Sequence, residues 1–422
     1  MIKLRETDTF PTRVLRRPKR LLKWVYSSVV RKLFYDLPRR TGTAEVGREN
    51  VLVVRTDGLG DLILATPIFK HIKKAYGESR IYLLTRTEWA DLFQNCPHVD
   101  DIIPLSLRAY GTDIFYRLRF LRSLREKSFG LAIHPVYSRE SLSDEIFCSS
   151  HAAQKIGFDG DLSNIRKREK LVNDRYYSDL IRDSTTACSA IEYNRHFTEQ
   201  LLRKSIDPGD FQPELWLTGA DRAGAQRLLR ENGLDPQRDV MVAIFPGASW
   251  TGREWAPSSY AELADRIVAQ YGATIIICGA KTDLVAATSV ASRMTARSIN
   301  LAGRTNLCEL AAVFKSCSLF IGNETGPLHM AVAVGTPTLG IMGGGHFGRF
   351  YPYGDLDKHR VAFKKMDCYG CNWQCIYETT RCIREISVDD VWRETVRLME
   401  AVVLPTRERH DRNLRDGVAL PR

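Results

Sequence analysis

The sequence predicts an α/β protein with two doubly wound domains, each built on a parallel sheet with helices on both faces. Short apolar runs of strand length alternate with helical patterns from residue 50 to 215 and again from about residue 240 onward, as in parallel sheets with crossover helices. Glycine-containing turns follow the apolar runs Val51–Val54 and Met241–Phe245. The length of 422 residues fits two ordinary domains with extensions.

The positive charge is concentrated at the start of the chain. The net charge is +11, and residues 1–42 hold 12 Lys or Arg against 3 Asp or Glu. The remaining residues are therefore close to neutral. No broad basic face for nucleic acid is indicated, and we expect no nucleic-acid partner.

Residues 1–48 are predicted to form a basic N-terminal arm with an amphipathic helix from about residue 18 to 35. Such a helix is typical of segments that lie on an anionic membrane surface, so we expect residues 1–42 to contact one. A solvated helix packed on its own protein and a disordered arm are the alternatives. The apolar positions at helical spacing are Leu21, Leu22, Val25, Val29 and Leu33.

The chain lacks a run of ~18 to 20 apolar residues that would cross a membrane, and no signal peptide is visible. We expect a cytoplasmic protein, peripheral on the inner face of the cell membrane, in a reducing compartment. Six of the ten cysteines are expected to be buried free thiols: Cys96, Cys148, Cys188, Cys278, Cys308 and Cys317.

The alternating patterns divide the rest of the chain into four parts. We expect a first domain over 49–215, a second over 216–386 with a cysteine-rich loop at 366–384, a closing helix at 387–404 and a disordered tail at 405–422. The first domain should have strands at 51–55, 80–84, 101–104 and 130–134, helices at 61–76, 87–94, 112–127 and 139–150, and a loop-rich excursion at 158–190. The second should have strands at 241–245, 273–278, 298–301, 319–321 and 338–342, and helices at 257–270, 282–294, 306–316 and from 325.

Asp61 is the candidate base. It follows the strand Val51–Val54 and the turn at Gly58 and Gly60, in the first turn of a predicted helix. This places it at the carboxyl edge of a parallel sheet, where such sheets bind ligands. The helix N-terminus favours the ionised carboxylate, so Asp61 can accept a proton.

The second domain contains a candidate phosphate site at residues 323–329. Gly326 and Pro327 begin a helix directly after a buried strand, and free N–H groups at such a helix end bind anions. His329, one turn further on, would add a donor. The alternative is an ordinary capped helix.

The loop after the strand Met241–Phe245 is polar and lies at the same predicted sheet edge. Ser249 and Thr251 offer hydroxyls, and Arg253 offers a fork of donors that matches phosphate. In the alternative reading, Arg253 merely pairs with Glu254. Trp255 is expected to pack rather than to bind.

Two glycine-rich segments have some features of a dinucleotide-binding motif. Residues 343–348 match G-x-G-x-x-G but are not followed by a helical pattern, and the turn at Gly58 lacks the third glycine. Dinucleotide binding is therefore disfavoured.

Four cysteines in the loop at 366–384 are close enough in sequence to hold zinc or iron through four thiolates. A packed thiol-rich loop and labile redox pairs are the alternatives. The four are Cys368, Cys371, Cys375 and Cys382.

Over residues 50–400 these motifs resemble glycosyltransferase family 9, the lipopolysaccharide heptosyltransferases. The resemblance depends on the segments 55–67, 246–255, 301–306 and 323–329 taken together. It implies the GT-B fold, in which two Rossmann-like domains face each other across a cleft. It also implies inverting transfer, usually from ADP-L-glycero-D-manno-heptose, without a metal or other cofactor for catalysis.

The resemblance also assigns roles to residues. Asp61 matches the catalytic base, Arg253 matches a basic residue on the donor phosphates, and Glu324 stands on the sugar side where the family usually has Asp. The longer Glu324 side chain bears on which sugar is accepted. Thr325 and Gly326 match the amides that hold the diphosphate, and Asp283 is matched weakly to the ribose. The nucleotide base is usually held by the residues at Thr305, Asn306 and Leu307. The donor side is completed by Ser249, Thr251, Pro327 and His329, and the acceptor side contains Gly58, Gly60 and His134.

The expected function is transfer of a heptose from ADP-heptose to a lipopolysaccharide core or a related lipid-linked glycan. One alternative is a family 9 transferase that uses another sugar nucleotide or a protein acceptor. The other is a non-catalytic, nucleotide-binding scaffold at the membrane.

Overall fold

The computed structural model describes residues 50–182 and 189–405. The predictions of a membrane-contacting arm, of a disordered tail beyond Pro405 and of a buried thiol at Cys188 fall outside these residues. In the two described stretches, no helix is long and apolar enough to cross a membrane.

The first sheet has six strands in the order β3-β2-β1-β4-β5-β6. The pairs β1–β2, β1–β4, β4–β5 and β5–β6 are parallel, which agrees with the alternating pattern. Its strands are β1 (Val51–Val54), β2 (Ile81–Arg86), β3 (Asp101–Leu105), β4 (Phe129–His134), β5 (Ala152–Phe158) and β6 (Asp179–Ile181).

The second sheet also has six parallel strands, in the order β12-β11-β10-β7-β8-β9. Its central strands are buried along their whole length, as expected for strands covered by helices on both faces. The strands are β7 (Met241–Phe245), β8 (Thr274–Ile277), β9 (Ser298–Asn300), β10 (Leu319–Asn323), β11 (Thr338–Met342) and β12 (His359–Phe363).

Helices connect the strands in both sheets. In the first half of the chain they are Leu59–Leu64, Thr66–Ala75, Thr87–Phe93, Leu107–Thr112, Ile114–Glu126, Ser141–Ser149, Lys167–Asn173 and Ala190–Leu202. In the second half they are Gly219–Glu231, Pro257–Tyr271, Leu284–Ala291, Leu307–Ser316, Gly326–Ala333, Arg381–Arg384 and Val388–Leu398, the last continued by a wider turn at Met399–Val403.

Several elements differ from the prediction. The helix expected at 61–76 is two helices, because Pro67 has no N–H to continue the first one and begins the second. The excursion at 158–190 contains a helix and the strand β6, and β5 and β12 were not predicted. These strands were missed because their side chains are mixed polar and apolar, such as Gln154 and Lys155 in β5.

The contacts divide the chain into two compact units. The first unit contains the described residues up to Arg55 together with Glu78–Leu84 and the residues from Leu105 to Arg182, and the second contains Thr56–Gly77, Thr85–Pro104 and the described residues from Ser189 onward. The second unit therefore contains the complete second sheet and also the glycine turn that follows β1. The domain boundaries at 215 and 386 stay a prediction.

Candidate functional site

A cavity of about 730 Å³ lies within the second unit, a size typical of small-molecule binding sites. Asp61, Gly58 and Gly60 line it, and so do Asp283 and every residue predicted for donor binding except Thr251. The segments that form its wall follow β1, β2, β7, β8, β9, β10 and β11. The carboxyl ends of these parallel strands are where such sheets bind ligands.

Asp61 is placed in the cavity by close packing of two helices in the second unit. Gly60 faces His329, and a Cβ on Gly60 would lie 2.7 Å from Cδ2 of that ring. Gly326 in turn faces Leu59, where an added Cβ would lie 3.1 Å away. The two glycines thus let Leu59–Leu64 and Gly326–Ala333 approach closely, and the half-buried Asp61 lies beside the start of the second helix.

The helix Gly326–Ala333 begins without a side-chain cap. Its N-cap residue Thr325 has an extended backbone and makes no capping hydrogen bond, because its hydroxyl donates to the carbonyl of Asn323 at 3.3 Å. Pro327 has no N–H, and the N–H of Leu328 donates to the Thr325 carbonyl at 3.1 Å. The N–H groups of Thr325 and Gly326 are therefore the donors that this helix end offers at the cavity wall. The geometry is that of an anion site and does not fit the alternative of an ordinary capped helix.

Arg253 pairs with Glu324. Its Nη2 donates to Glu324 Oε2 at 2.6 Å and to the Glu324 carbonyl at 3.1 Å. The alternative pairing with Glu254 is therefore wrong. The guanidinium is 20% exposed and lines the cavity, so a permanent cation is held at the wall.

The carboxyl group of Glu324 is held close to its titration point. Burial raises its pKa to about 7, the Arg253 cation lowers the pKa, and the nearby Asp61 charge raises it. Glu324 therefore exchanges a proton near neutral pH. When it is protonated, its negative charge no longer offsets the positive charge that Arg253 presents to the cavity.

His329 and Asp283 are fixed by local contacts. His329 Nδ1 lies 3.1 Å from the hydroxyl of Tyr353, and burial, assisted by Arg253, lowers the pKa of the ring to about 3. His329 is therefore neutral at physiological pH. Asp283 Oδ2 accepts the N–H of Ala280 at 2.8 Å, and burial raises its pKa.

Residues 117–376 match the family model of glycosyltransferase family 9 (heptosyltransferase). The chain belongs to this family. It is 22% identical over 299 residues to lipooligosaccharide heptosyltransferase 2 of Haemophilus influenzae, covering 70% of this chain and 83% of the relative. The expectation drawn from the motifs is confirmed.

Solved structures have the same fold. A glycosyltransferase family 9 structure from Veillonella parvula matches with a TM-score of 0.69 and 20% identity, covering 86% of this chain and all of that one. An E. coli ADP-heptose lps heptosyltransferase II matches with a TM-score of 0.65 and 18% identity over 83% and 99% of the two chains. The predicted GT-B fold of two Rossmann-like domains is confirmed.

In this family 9 glycosyltransferase, sequence reasoning missed several residues of the cavity wall. Arg86, at the end of β2, donates from Nε to the carbonyl of Thr56 at 2.5 Å. Trp89 donates from Nε1 to the carbonyl of Asp57 at 3.4 Å. The signal was available, because Arg86 ends the strand beside β1 and therefore lies at the same carboxyl edge. Lys281, His346 and Phe350 were also missed.

Two predicted site residues lie elsewhere. Thr251 is exposed on a short helical turn and is not part of the wall. His134, assigned to the acceptor side, is fully buried in the first unit, where its Nδ1 bonds the hydroxyl of Tyr177 at 2.9 Å. Trp255 packs as expected, and its indole N–H donates to the carbonyl of Ile386 at 2.9 Å.

The four-cysteine loop does not fit a metal. In the described parts of the chain, no three His, Cys, Asp or Glu side chains are placed to hold an ion, so the prediction of zinc or iron at Cys368, Cys371, Cys375 and Cys382 is corrected. Two of the thiols contact the backbone: Cys375 Sγ lies 3.6 Å from the carbonyl of Thr379, and Cys382 accepts from the N–H of Gly344. The loop fits the alternative of a packed thiol-rich segment.

Proposed function

We propose that this family 9 glycosyltransferase transfers a heptose from ADP-heptose to a lipopolysaccharide core or a related lipid-linked glycan, with inversion and without a metal. The observation that carries the proposal is one cavity wall that combines the Asp61 carboxylate, the Arg253 cation and an uncapped helix N-terminus. The names of the similar heptosyltransferases support the choice of donor and acceptor.

The donor is proposed to lie with its diphosphate against Arg253 and the N–H groups of Thr325 and Gly326 at the start of the helix Gly326–Ala333. Hydrogen-bond donors and cations that are fixed in place before the reaction stabilise the negative charge that develops on a leaving group. Glu324 lies beside Arg253 on the proposed sugar side, and Asp283 lies on the proposed ribose side. Thr305, Asn306 and Leu307, on the same wall, would enclose the adenine.

The transfer then needs one base. Asp61 would take the proton of the acceptor hydroxyl as its oxygen attacks C1 of the heptose, which forms the new C–O bond. The bond from C1 to the diphosphate oxygen breaks on the opposite face, and both of its electrons leave with ADP. Attack on the face opposite to the leaving group inverts the configuration at C1. The acceptor proton would go to Asp61, and Arg253 with the start of the helix Gly326–Ala333 would stabilise the negative charge of the diphosphate.

The acceptor side of the proposal involves the membrane. A lipid-linked acceptor is reached at a membrane surface, and the basic segment 1–42 suits an anionic one. We therefore propose a peripheral position on the inner face of the cell membrane. Deletion of residues 1–42 should reduce co-sedimentation with anionic vesicles, and unchanged sedimentation would count against this position.

The test of the proposed reaction is ADP release by the full chain with ADP-heptose and a lipid-linked core acceptor. Asp61→Asn, which keeps the size and loses the base, should bind ADP-heptose normally and lose about 10²–10⁴ in turnover. Near-normal transfer by this variant would rule out Asp61 as the base. Binding of ADP-heptose without transfer by the wild-type protein would instead favour a non-catalytic scaffold.

One observation favours a second donor. Glu324 occupies the sugar side with a longer side chain than the Asp that the family usually has there, which changes the space and hydrogen bonding available to the sugar. A panel of sugar nucleotides read by thermal shift separates the cases, since a ligand at 100 times its Kd stabilises by about 2.7 kcal/mol. A larger shift with a donor other than ADP-heptose would replace the proposed donor.

A further inference from the structure

The loop at 366–384 carries Trp373, whose indole lies against the guanidinium of Arg253. The Cζ atom of Arg253 lies 5.0 Å from the centroid of the ring, within cation–π distance. Nη2 of the same guanidinium bonds Glu324. The cation at the cavity wall is therefore held from two directions, by a carboxylate on one side and by an aromatic face on the other.

The N–H of the same indole fixes a second residue of the wall. Trp373 Nε1 lies 3.2 Å from Nδ1 of His346, and Oδ1 of Asn372 contacts Nε2 of that ring. An indole N–H can only donate, so Nδ1 is the acceptor and the proton of His346 is on Nε2. A protonated His346 would point a second N–H at the indole N–H, so this contact keeps the ring neutral.

The glycines at 343–345 are explained by the same loop. A Cβ on Gly345 would collide with the indole of Trp373, and one on Gly344 would collide with the ring of Tyr369. Two backbone bonds join the segments, from the N–H of Gly370 to the Gly344 carbonyl at 2.8 Å and from that of Asn372 to the Gly345 carbonyl at 3.1 Å. The glycine-rich segment that formally matches a dinucleotide-binding motif is therefore the surface on which the loop at 366–384 packs.

The backbone at this point is held in an unusual conformation. Asn372 and Trp373 have φ values of 49° and 60°, in the left-handed region that disfavours residues with a Cβ by about 1–2 kcal/mol. Such a conformation persists only where the surroundings determine it, and it is most frequent at functional sites. Here the surroundings are Gly344 and Gly345, the ring of His346 and the guanidinium of Arg253.

We propose that Trp373 is a positioning residue of the donor site, which holds the Arg253 guanidinium with its ring face and the neutral Nε2–H form of His346 with its N–H. The inference depends on the proposed function in one respect, because it takes Arg253 as the group that meets the donor diphosphate. It gives the cysteine-rich loop a role without a metal.

Calorimetric binding of ADP to the full chain at about pH 7.5 tests the ring face. Trp373→Ala should raise the Kd about five- to tenfold, because the cation loses its support. Trp373→Phe keeps an aromatic face and should bind within about twofold of wild type. Trp392→Ala, which removes a half-buried indole packed on Tyr271, is the control and should not change the Kd. A folded Trp373→Ala that binds like wild type, or a Trp373→Phe as weak as Trp373→Ala, would overturn the proposal.

The N–H contact is tested without ligand, by ¹⁵N-histidine NMR of the full chain with His346→Gln to assign the signal. In the wild-type protein His346 should stay in the neutral Nε2–H form from about pH 8 down to about pH 5.5. In Trp373→Phe it should titrate, because the indole N–H is lost. Burial and the Arg349 and Arg253 charges lower the pKa of His346, and the Asn372 contact raises it, in both proteins. Titration of His346 in the wild-type protein would overturn the proposal.

The two arms separate the inference from the proposed function. If the wild-type protein binds no ADP, the proposed donor is wrong. The histidine spectra and a crystal structure of Trp373→Ala then decide the inference, since the guanidinium of Arg253 should be displaced in that structure. An undisplaced guanidinium would overturn it.

Discussion

Two arginines in this protein, one buried and one partly exposed, make the same kinds of contact with opposite results. In the first unit, Arg139 lies over the ring of Tyr177 at 4.6 Å and pairs with Asp144 and Asp174. In the second unit, Arg253 lies over the ring of Trp373 and pairs with Glu324. Each is an arginine held between an aromatic face and a carboxylate.

The difference is in how far each arginine is buried. Arg139 is fully buried and donates to Asp174 and to the carbonyl of Phe158, and Asp144 is also bonded by Tyr177 and Asn173. Arg253 donates through Nη2 to one residue and is partly exposed at the cavity wall. The first set, Arg139 with Asp144, Asp174 and Tyr177, is closed because its arginine does not reach solvent, even though Nε of Arg139 has no hydrogen-bond partner. This set stabilises the fold, whereas the second set, Arg253 with Glu324 and Trp373, is open because its guanidinium lines the cavity.

The largest expected effect is on stability, at Arg139. Arg139→Ala leaves the buried Asp144 without its cation, while Asp174 keeps Lys170 at 2.8 Å, and breaking a buried pair in this way costs about 3–5 kcal/mol. Urea unfolding measures the loss. Arg122→Ala, which breaks an exposed pair with Glu126, should change the unfolding free energy little, and an equal loss in both variants would remove the distinction between closed and open sets.

Arg253→Ala should have the next largest effect, on catalysis. Removing one fixed donor from a developing charge typically lowers kcat by about 10²–10³. The unfolding midpoint should stay near that of wild type, because Glu324 can take up a proton when its partner is lost. Arg253→Lys keeps the charge and should recover part of the rate. A loss of stability as large as that of Arg139→Ala would show that this pair is also structural.

The sequence predicted the open set better than the closed one. Asp61, Arg253 and Gly326 follow apolar strands, so their place at the sheet edge could be inferred from local patterns alone. The closed set escaped prediction because its members, such as Lys170 and Asp174, lie in a polar stretch without periodicity. Their order depends on Arg139 and Asp144, which are distant in sequence.

Within the open set, the identity of partners was beyond local reasoning. Arg253 was compared with its neighbour Glu254, but its carboxylate is Glu324, 71 residues further along the chain. Likewise the four cysteines were close enough in sequence to hold a metal, whereas in the structure their loop packs Tyr369 on Gly344 and Trp373 on Gly345. Sequence spacing shows which residues could contact one another, and the packing of the folded chain determines which of these contacts form.

Tyr177→Phe should have a smaller effect on the closed set. The hydroxyl donates to Asp144 at 2.8 Å and accepts from His134, so its removal leaves two buried polar groups with one contact fewer. The expected loss is about 1–3 kcal/mol of unfolding free energy. Transfer activity of the folded variant should not change. A Tyr177→Phe variant as stable as wild type would mean that the buried set does not need this hydroxyl for its stability.

The smallest effect is a pH dependence at Glu324. Its pKa is raised from 4.5 to about 7, so its contribution to stability is complete below about pH 4.5 and is lost as the pH rises through about 7. Donor binding has the same sign, because protonation removes a negative charge beside the diphosphate. Burial of His329 keeps its pKa at about 3, so this ring adds nothing near neutral pH.

Calorimetry with ADP-heptose, whose diphosphate diester keeps its charge over this range, measures the effect. If the bound donor raises the pKa of Glu324 by about half a unit, the Kd rises about threefold between about pH 6 and about pH 8. Glu324→Gln stays neutral at every pH and keeps an oxygen for Arg253, so its Kd should be independent of pH. A wild-type Kd that is flat, or a Glu324→Gln Kd that keeps the slope, would show that this carboxyl group does not face the donor and that the second set is as closed as the first.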